Sequence, residues 1–147
     1  MTEGASRVLG IDLGTVRVGL ALSDPLGLTA QPRGFLPRRA LAKDLAPLAA
    51  LIREQGIGTI VVGHPRTLAG DTGPAAAGAE AFAARLAEAL PCRIVLWDER
   101  LTTVQAQRAL LEGDVRRSKR REIVDQTAAA IMLQSWLDAQ TAGSSST

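Results

Sequence analysis

The sequence predicts an α/β protein with a mixed β-sheet and helices on both of its faces. The chain opens with two apolar segments joined by a tight turn, which is typical of a β-hairpin. Beyond the hairpin, helical patterns alternate with short continuous apolar runs, which are typical of parallel strands buried on both faces. We therefore expect antiparallel strands on one side of the sheet and parallel strands at its centre.

The first half of the chain supplies three extended segments and one helix. The hairpin strands are "RVLGID" and "VRVGLALSD", with Gly14 in the turn between them, and a third extended segment is expected near residues 31–36. A helix follows, because apolar side chains recur at helical spacing and Gly56 stops the pattern. Pro47 lies inside this pattern, so the helix either begins near Asp44 or bends there. The apolar positions of this helix are Leu41, Leu45, Leu48 and Ile52.

The second half alternates buried strands with helices. "TIVVG" and "RIVLW" read as buried strands, and a loop rich in Gly and Pro follows the first of them. An alanine-rich helix striped by Phe82, Leu86 and Leu90 lies between the two strands. "TTVQAQRALLEG" begins with a Thr102-x-x-Gln105 capping box. "REIVDQTAAAIMLQSWLDAQ" is expected to be a long final helix that is apolar around most of its circumference.

Length and composition indicate a single folded domain, expected to span residues 1–140, with a disordered tail at 141–147. A hydrophobic content of 46% and a charged content of 22% are typical of a globular protein. No apolar run approaches the roughly 20 residues that span a bilayer, and no signal peptide is recognisable, so we expect a cytoplasmic protein without a membrane partner. The single cysteine, Cys92, excludes an internal disulfide.

The positive charge is concentrated in one run, "RRSKRR", that contains no acidic residue. Such runs are usually solvated surface, but arginine also pairs well with phosphate oxygens. We expect this run to hold nucleic-acid phosphates without reading their sequence. Aromatic residues make up only 3% of the chain, so base stacking is not expected to dominate nucleic-acid binding. The basic residues of the run are Arg116, Arg117, Lys119, Arg120 and Arg121.

Acidic residues occur where the pattern predicts apolar surroundings. Asp12 lies inside the first strand, although an unpaired buried charge is costly. A lone Asp before a glycine turn often only bonds to the turn backbone, so that alternative stays open. Asp98 and Glu99 end a buried strand, where sites of open α/β sheets collect. Since neighbouring strand residues face opposite sides, only one of these two can point to a shared centre.

Asp125 falls in the first turns of the expected final helix, in which the small side chains of "AAA" allow close approach to the sheet. Its alternative explanation is a favourable charge at a helix N-terminus. One hypothesis covers all three acids: carboxylates that converge on a dry site need a cation, and Mg²⁺ or Mn²⁺ prefers such oxygen ligands. Zinc is a poor candidate, because His64 is the only histidine and no Cys/His ligand set exists.

Four stretches, "GIDLGTVRVGLALSD", "VVGHP…G…GP", "WDERLTT" and "KRREIVDQTAAAIMLQSWL", resemble the YqgF/RuvX family of the RNase H-like superfamily, in the family's order. The resemblance implies an RNase H-like fold with a five-stranded mixed sheet flanked by helices. It implies a nuclease whose acids Asp12, Glu99 and Asp125 act with two divalent ions, Asp12 bridging both. Such proteins are associated with 5′-end maturation of small-subunit ribosomal RNA and with Holliday junction cleavage. His64 departs from the family pattern, in which an aliphatic residue is expected.

Three charged neighbours of these acids are expected to act indirectly. Asp98 either supports the site or caps a helix. Arg17 and Arg100 either balance the acidic charge or hold the substrate phosphate. The expected partner is ribosomal RNA precursor or branched DNA, and the chain is a monomer or a homodimer.

Two other functions remain open at this point. "GIDLGT" also resembles the first phosphate loop of the actin and chaperone ATPase superfamily, whose members need two such domains around the nucleotide. A non-catalytic RNA-binding or transcription-associated factor could keep the same fold. Three retained acids argue against a pure binding protein, because desolvated carboxylates gain nothing by facing a polyanion.

Overall fold

The computed structural model describes residues 6–14, 16–65, 73–99 and 128–140. Three strands come first, and helices and strands then alternate, as the sequence predicts. The described part of the C-terminal helix covers residues 128–140. The strands are β1 (Arg7–Leu13), β2 (Arg17–Ser23), β3 (Ala30–Pro37), β4 (Ile57–His64) and β5 (Arg93–Asp98). The helices before the C-terminal helix are α1 (Arg38–Lys43), α2 (Ala46–Gln55) and α3 (Pro74–Ala89).

These five strands form one mixed sheet in the order β3-β2-β1-β4-β5. β2 is antiparallel to both β1 and β3, whereas β4 is parallel to both β1 and β5. The predicted mixed sheet, with a hairpin side and parallel strands, is therefore confirmed. β1 is the central strand. Because β1, β4 and β5 are adjacent and parallel, their carboxyl ends meet at one edge of the sheet.

Apolar side chains cover both faces of the sheet. One face packs on α2 and α3 and buries Leu9, Ile11, Leu48 and Leu86 among others. The opposite face packs on the C-terminal helix and buries a second cluster, drawn from the sheet and from that helix: Val8, Ala21, Val61, Ala129, Ala130, Met132, Leu133, Trp136 and Leu137. We call these the α3 face and the C-terminal-helix face.

Gly10 sets how closely the C-terminal helix approaches the sheet. A Cβ atom at Gly10 would lie 2.8 Å from Leu133 Cβ and 3.3 Å from the Ala129 carbonyl oxygen. Both distances are shorter than ordinary van der Waals contact, so the helix rests directly on the backbone of β1. The close approach that "AAA" predicts for the C-terminal helix is thus observed at Ala129.

The helix predicted over Leu41 to Ile52 is two helices. α1 ends before Asp44, whose backbone N–H donates to the Ala40 carbonyl at 3.0 Å. The Asp44 carboxylate accepts a hydrogen bond from the Ala46 N–H at 2.9 Å, in the first turn of α2. Pro47 then occupies the first turn, where it has no hydrogen bond to break. Gly56 ends α2 with a left-handed φ of 65°, as its position in the pattern predicts.

Both tryptophans lie in or against the apolar cluster of the C-terminal-helix face. Trp136 is buried, and Trp97 packs against the same cluster while its indole N–H donates to Ser135 Oγ at 3.3 Å. Cys92 is a free, half-buried thiol, and burial raises its pKa. None of the described helices is both long and apolar enough to span a membrane. Most of the Gly/Pro loop, the Thr102 capping box and the C-terminal tail lie outside the described residues.

Candidate active site

Strand alternation places Asp12 on the C-terminal-helix face. Val8 belongs to the apolar cluster of that face, and Gly10 contacts the helix, so Asp12 is the third side chain in the same row. Ile11 and Leu9 point to the α3 face instead. Asp12 is half-buried and has a hydrogen-bond partner. The charge inside the first strand therefore sits at the edge of the second apolar cluster, at the carboxyl end of β1.

Glu99 reaches Asp12 across the end of β4. It directly follows β5, and its side chain passes over Gly63 near the end of β4. A Cβ atom at Gly63 would lie only 2.5 Å from Glu99 Oε1 and 3.1 Å from its Cδ. Because Gly63 has no side chain, the Glu99 carboxyl can occupy this space and form a hydrogen bond with Asp12.

The surroundings of Glu99 favour its neutral form. Burial is the largest cause, followed by the hydrogen bond to Asp12 and the negative charges of Asp12 and Asp98, and together they raise the pKa of Glu99 to about 8. Two carboxyls that share one proton would be better compensated by a cation. Hard oxygen ligands in a partly buried site suit Mg²⁺ or Mn²⁺, so this pair fits the implied metal.

Asp98 and His64 lie on the other side of the sheet. They lie opposite each other in the β4–β5 register, at the ends of the two strands, and strand alternation turns both side chains toward the α3 face. His64 Nε2 lies 2.9 Å from Glu80 Oε2 on α3, and the His64 side chain is only 15% exposed. Of the two adjacent acids Asp98 and Glu99, the structure brings Glu99 to Asp12, while Asp98 contributes only a nearby charge.

Arg17 lies two residues before Gly19, the β2 partner of Asp12, so it is on the same face as Asp12 and there contacts an aromatic ring. Its guanidinium carbon lies 5.4 Å from the centre of the Phe35 ring, within the range of a cation–π interaction. The turn between β1 and β2 is held by Gly14, whose N–H donates to the Arg17 carbonyl at 2.8 Å. Arg38 donates to the Gly14 carbonyl at 2.9 Å, so this turn is also held to the start of α1.

The remaining predicted site residues lie outside the described part of the chain. They are Asp125, Arg100, Arg116, Arg117, Lys119, Arg120 and Arg121. Within the described ranges, no group of three or more His, Cys, Asp or Glu side chains is placed to hold a metal ion. The geometry of the site is thus described for the pair Asp12 and Glu99.

Sequence reasoning missed two residues that shape this region. Gly63 makes the space for Glu99, and a glycine inside an apolar strand is a known signal of close approach. Phe35 was missed because only strand register shows which face it occupies. No pattern within residues 31–36 distinguishes it from an ordinary strand residue.

Comparison with known proteins assigns the family. The model of the RuvX family, described as a Holliday junction resolvase, matches residues 6–139. The chain belongs to the RuvX family. This chain is 49% identical over 133 residues to a Myxococcus xanthus protein named "Putative pre-16S rRNA nuclease", covering 90% of this chain and 88% of that one. A Moorella thermoacetica protein of the same name is 48% identical over 132 residues, covering 90% of this chain and 94% of that one.

Solved structures agree on the fold of this RuvX chain. RuvC of T. thermophilus, in complex with a Holliday junction substrate, matches with a TM-score of 0.54 at 15% identity, covering 92% of this chain and 96% of that one. The fowlpox virus resolvase, in complex with Holliday junction DNA, matches with a TM-score of 0.50 at 10% identity, covering 91% and 98%. At these identities the likeness concerns the fold alone, which is RNase H-like as the family resemblance implies.

Proposed function

We propose that this chain is a divalent-metal-dependent nuclease that hydrolyses phosphodiester bonds in structured nucleic acid. Its leading candidate role is 5′-end maturation of pre-16S rRNA, and its second is Holliday junction cleavage. The observation that carries the proposal is the hydrogen-bonded pair Asp12 and Glu99 at the carboxyl edge of the parallel strands of a RuvX-family chain. The names of its close relatives support the rRNA role.

Asp12, Glu99 and Asp125 are the residues we propose as metal ligands. Asp125 precedes Ala129 by four residues, about one turn of the final helix that the sequence predicts. Ala129 contacts Gly10, which is two residues before Asp12 in the same row of β1. This spacing supports a third carboxylate beside the other two. When bound, divalent cations supply positive charge that activates water and stabilises the leaving oxygen of an in-line displacement.

The chain's own residues prepare the site for that charge. Gly63 leaves space for the Glu99 carboxyl, and the rigid central strand β1 fixes the position of Asp12. Asp98 faces the other side of the sheet, so we assign it an indirect electrostatic role. For Arg17 and Arg100 we keep the proposal that they hold substrate phosphate. The run from Arg116 to Arg121 is proposed to bind phosphates farther along the strand.

A cleavage panel tests this function. A pre-16S rRNA fragment, a four-way DNA junction and single strands are incubated with Mg²⁺ or Mn²⁺ and the wild-type chain. Asp12→Asn and Glu99→Gln should abolish cleavage while binding persists, and Asp98→Asn should lose far less activity. Cleavage by purified Asp12→Asn at the wild-type rate would refute the proposal. If Asp98→Asn were inactive and Glu99→Gln active, the assignment of the two adjacent acids would be reversed.

Partners and location follow from the same proposal. A nuclease that matures ribosomal RNA works in the cytoplasm on a structured RNA. Junction cleavage needs two nicks and hence two sites, so it requires a homodimer, whereas an RNA-trimming enzyme can be a monomer. Light scattering of the chain with and without a four-way junction distinguishes these cases.

A further inference from the structure

Phe35 lies in the same cross-strand row as Asp12. Asp12 pairs with Gly19 on β2, and Gly19 pairs with Phe35 on β3. Side chains of directly paired residues point to the same face, so Asp12 and Phe35 share the C-terminal-helix face. Two strand spacings separate them, which is about 10 Å. Gly19 is buried and has no side chain, so β2 places no side chain between the two.

A β-bulge puts Phe35 on this face. The pairing of β2 with β3 shifts between Gly19 and Ala21, and Gly34 in the extra position has a φ of 93°. Ala21 pairs with Pro32, so without the extra residue Gly19 would pair with Gly34 and Phe35 would point to the opposite face. Bulges beside active sites often redirect a side chain in this way.

The Phe35 side chain is partly exposed to solvent. It is 36% exposed and belongs to neither apolar cluster, unlike its neighbour Leu36, which packs on the α3 face. A single exposed aromatic is common on protein surfaces. Here it lies in the row of the candidate catalytic acid, and the Arg17 guanidinium carbon lies 5.4 Å from the centre of its ring.

The chain around Phe35 is basic. Between Pro25 and Lys43 there is no acidic residue, and Arg33 and Arg39 are exposed on β3 and α1. A polyanion is therefore attracted to this edge of the sheet. An aromatic ring paired with arginine and flanked by positive charge is the composition that binds single-stranded nucleic acid by stacking.

We propose that Phe35, backed by Arg17, is a base-stacking subsite for a nucleotide near the bond cleaved at Asp12. Two strand spacings, about 10 Å, separate the backbones of Asp12 and Phe35, so an unpaired strand bound at Asp12 brings a nearby base within reach of the ring. This inference rests on the proposed nuclease function. The ligand is an unpaired nucleotide of an RNA or DNA strand, recognised by its aromatic base rather than by base-specific hydrogen bonds.

Binding of short oligonucleotides tests the subsite. The full chain is titrated, in EDTA to prevent cleavage, with a U12 RNA, a dT12 DNA and an abasic 12-mer of the same charge. Phe35→Ala should weaken U12 or dT12 binding about tenfold, since stacking on one aromatic contributes roughly 5- to 150-fold. The abasic strand should bind both proteins equally. The strand that loses more affinity is the one whose bases stack more strongly on the ring.

Substitutions at Phe35 separate aromatic stacking from loss of apolar surface. Phe35→Leu should lose nearly as much affinity for U12 or dT12 as Phe35→Ala, whereas Phe35→Trp should bind these strands as tightly as the wild type. The fluorescence of the added tryptophan should be quenched by U12 or dT12 and not by the abasic strand. Leu26→Ala is the matched control, because Leu26 is 76% exposed in the loop between β2 and β3 and should leave binding unchanged.

The outcomes distinguish this subsite from the nuclease function on which it rests. Equal affinity of wild type and Phe35→Ala for every strand overturns the subsite, as does equal quenching of Phe35→Trp by the abasic strand. Cleavage is measured in parallel with Mg²⁺ or Mn²⁺. A Phe35-dependent affinity without any cleavage supports the subsite and contradicts the nuclease; a failure of wild type to bind any strand contradicts both.

Discussion

Replacing the carboxyl of Glu99 by an amide, in Glu99→Gln, should stabilise the metal-free protein at alkaline pH and leave its stability at acidic pH unchanged. Glu99 has a folded-state pKa of about 8 against an ordinary value of 4.5. Between these values the folded state keeps a proton that the unfolded state releases. The free energy of unfolding of the wild type therefore falls as the pH rises from about 4.5 to about 8, and it levels off above that range.

The size of this effect follows from the pKa difference. The interval from 4.5 to about 8 corresponds to about 5 kcal/mol, at about 1.4 kcal/mol per pKa unit. Glu99 is only partly buried, so screening by water reduces this to about 2 kcal/mol. For a chain of this length, about 2 kcal/mol corresponds to a Tm change of roughly 4–8 °C.

Thermal unfolding of the protein in EDTA measures the prediction. Wild type and Glu99→Gln are compared from pH 4 to pH 9, and their Tm values should coincide at pH 4 and diverge progressively toward pH 8. Glu88→Gln, an exposed substitution on α3, should run parallel to wild type throughout. Parallel curves for Glu99→Gln and wild type would show that Glu99 is not desolvated against Asp12, and the geometry of the candidate site would be wrong.

Three further substitutions test separate parts of the structure. Gly63→Ala should displace Glu99 and abolish cleavage with little loss of Tm, because the added methyl meets only the end of a flexible side chain; cleavage near the wild-type rate would contradict this close approach. Gly10→Ala should lower the stability by about 1–3 kcal/mol in denaturant unfolding, because the methyl meets the C-terminal helix, and an unchanged midpoint would refute the close packing. Replacing Arg116 and Arg117 by Ala should reduce the log–log salt slope of nucleic-acid binding by about one for each phosphate that is no longer neutralised, and an unchanged slope would identify the run as ordinary surface.

Local patterns carried the prediction of the fold further than that of the site. Alternation and apolar runs are properties of each segment, so they predict the hairpin and the buried strands. Contact between Asp12 and Glu99 depends on strand order, because Glu99 reaches Asp12 across β4. No spacing along the chain encodes that order. The resemblance to a known family supplied what local patterns could not.

Phe35 illustrates a second limit, which comes from register. Strict alternation within β3 predicts which residues share a face only if the strand pairs without interruption. One extra residue at Gly34 reverses the faces of everything that follows on β3. A glycine between Arg33 and Phe35 is compatible with a bulge, but it does not require one. The sequence therefore shows that an aromatic lies on β3, and only the pairing shows that it faces the site.

Glycines on both neighbouring strands explain how β1 tolerates Asp12. Gly19 is its partner on β2, and Gly63 follows Val62, which pairs with Ile11, on β4. A side chain at either glycine would complete the apolar layer and exclude the carboxyls. Among the described residues, glycine therefore stands beside Asp12 on β2, and the β4 side is filled by Glu99, whose neutral form is costly to ionise. Departures from an optimal core that are clustered at one edge are expected of a functional site. Acidic oxygens gathered at one edge of the sheet are suited to a cation, and the basic edge at β3 is suited to a nucleic-acid strand.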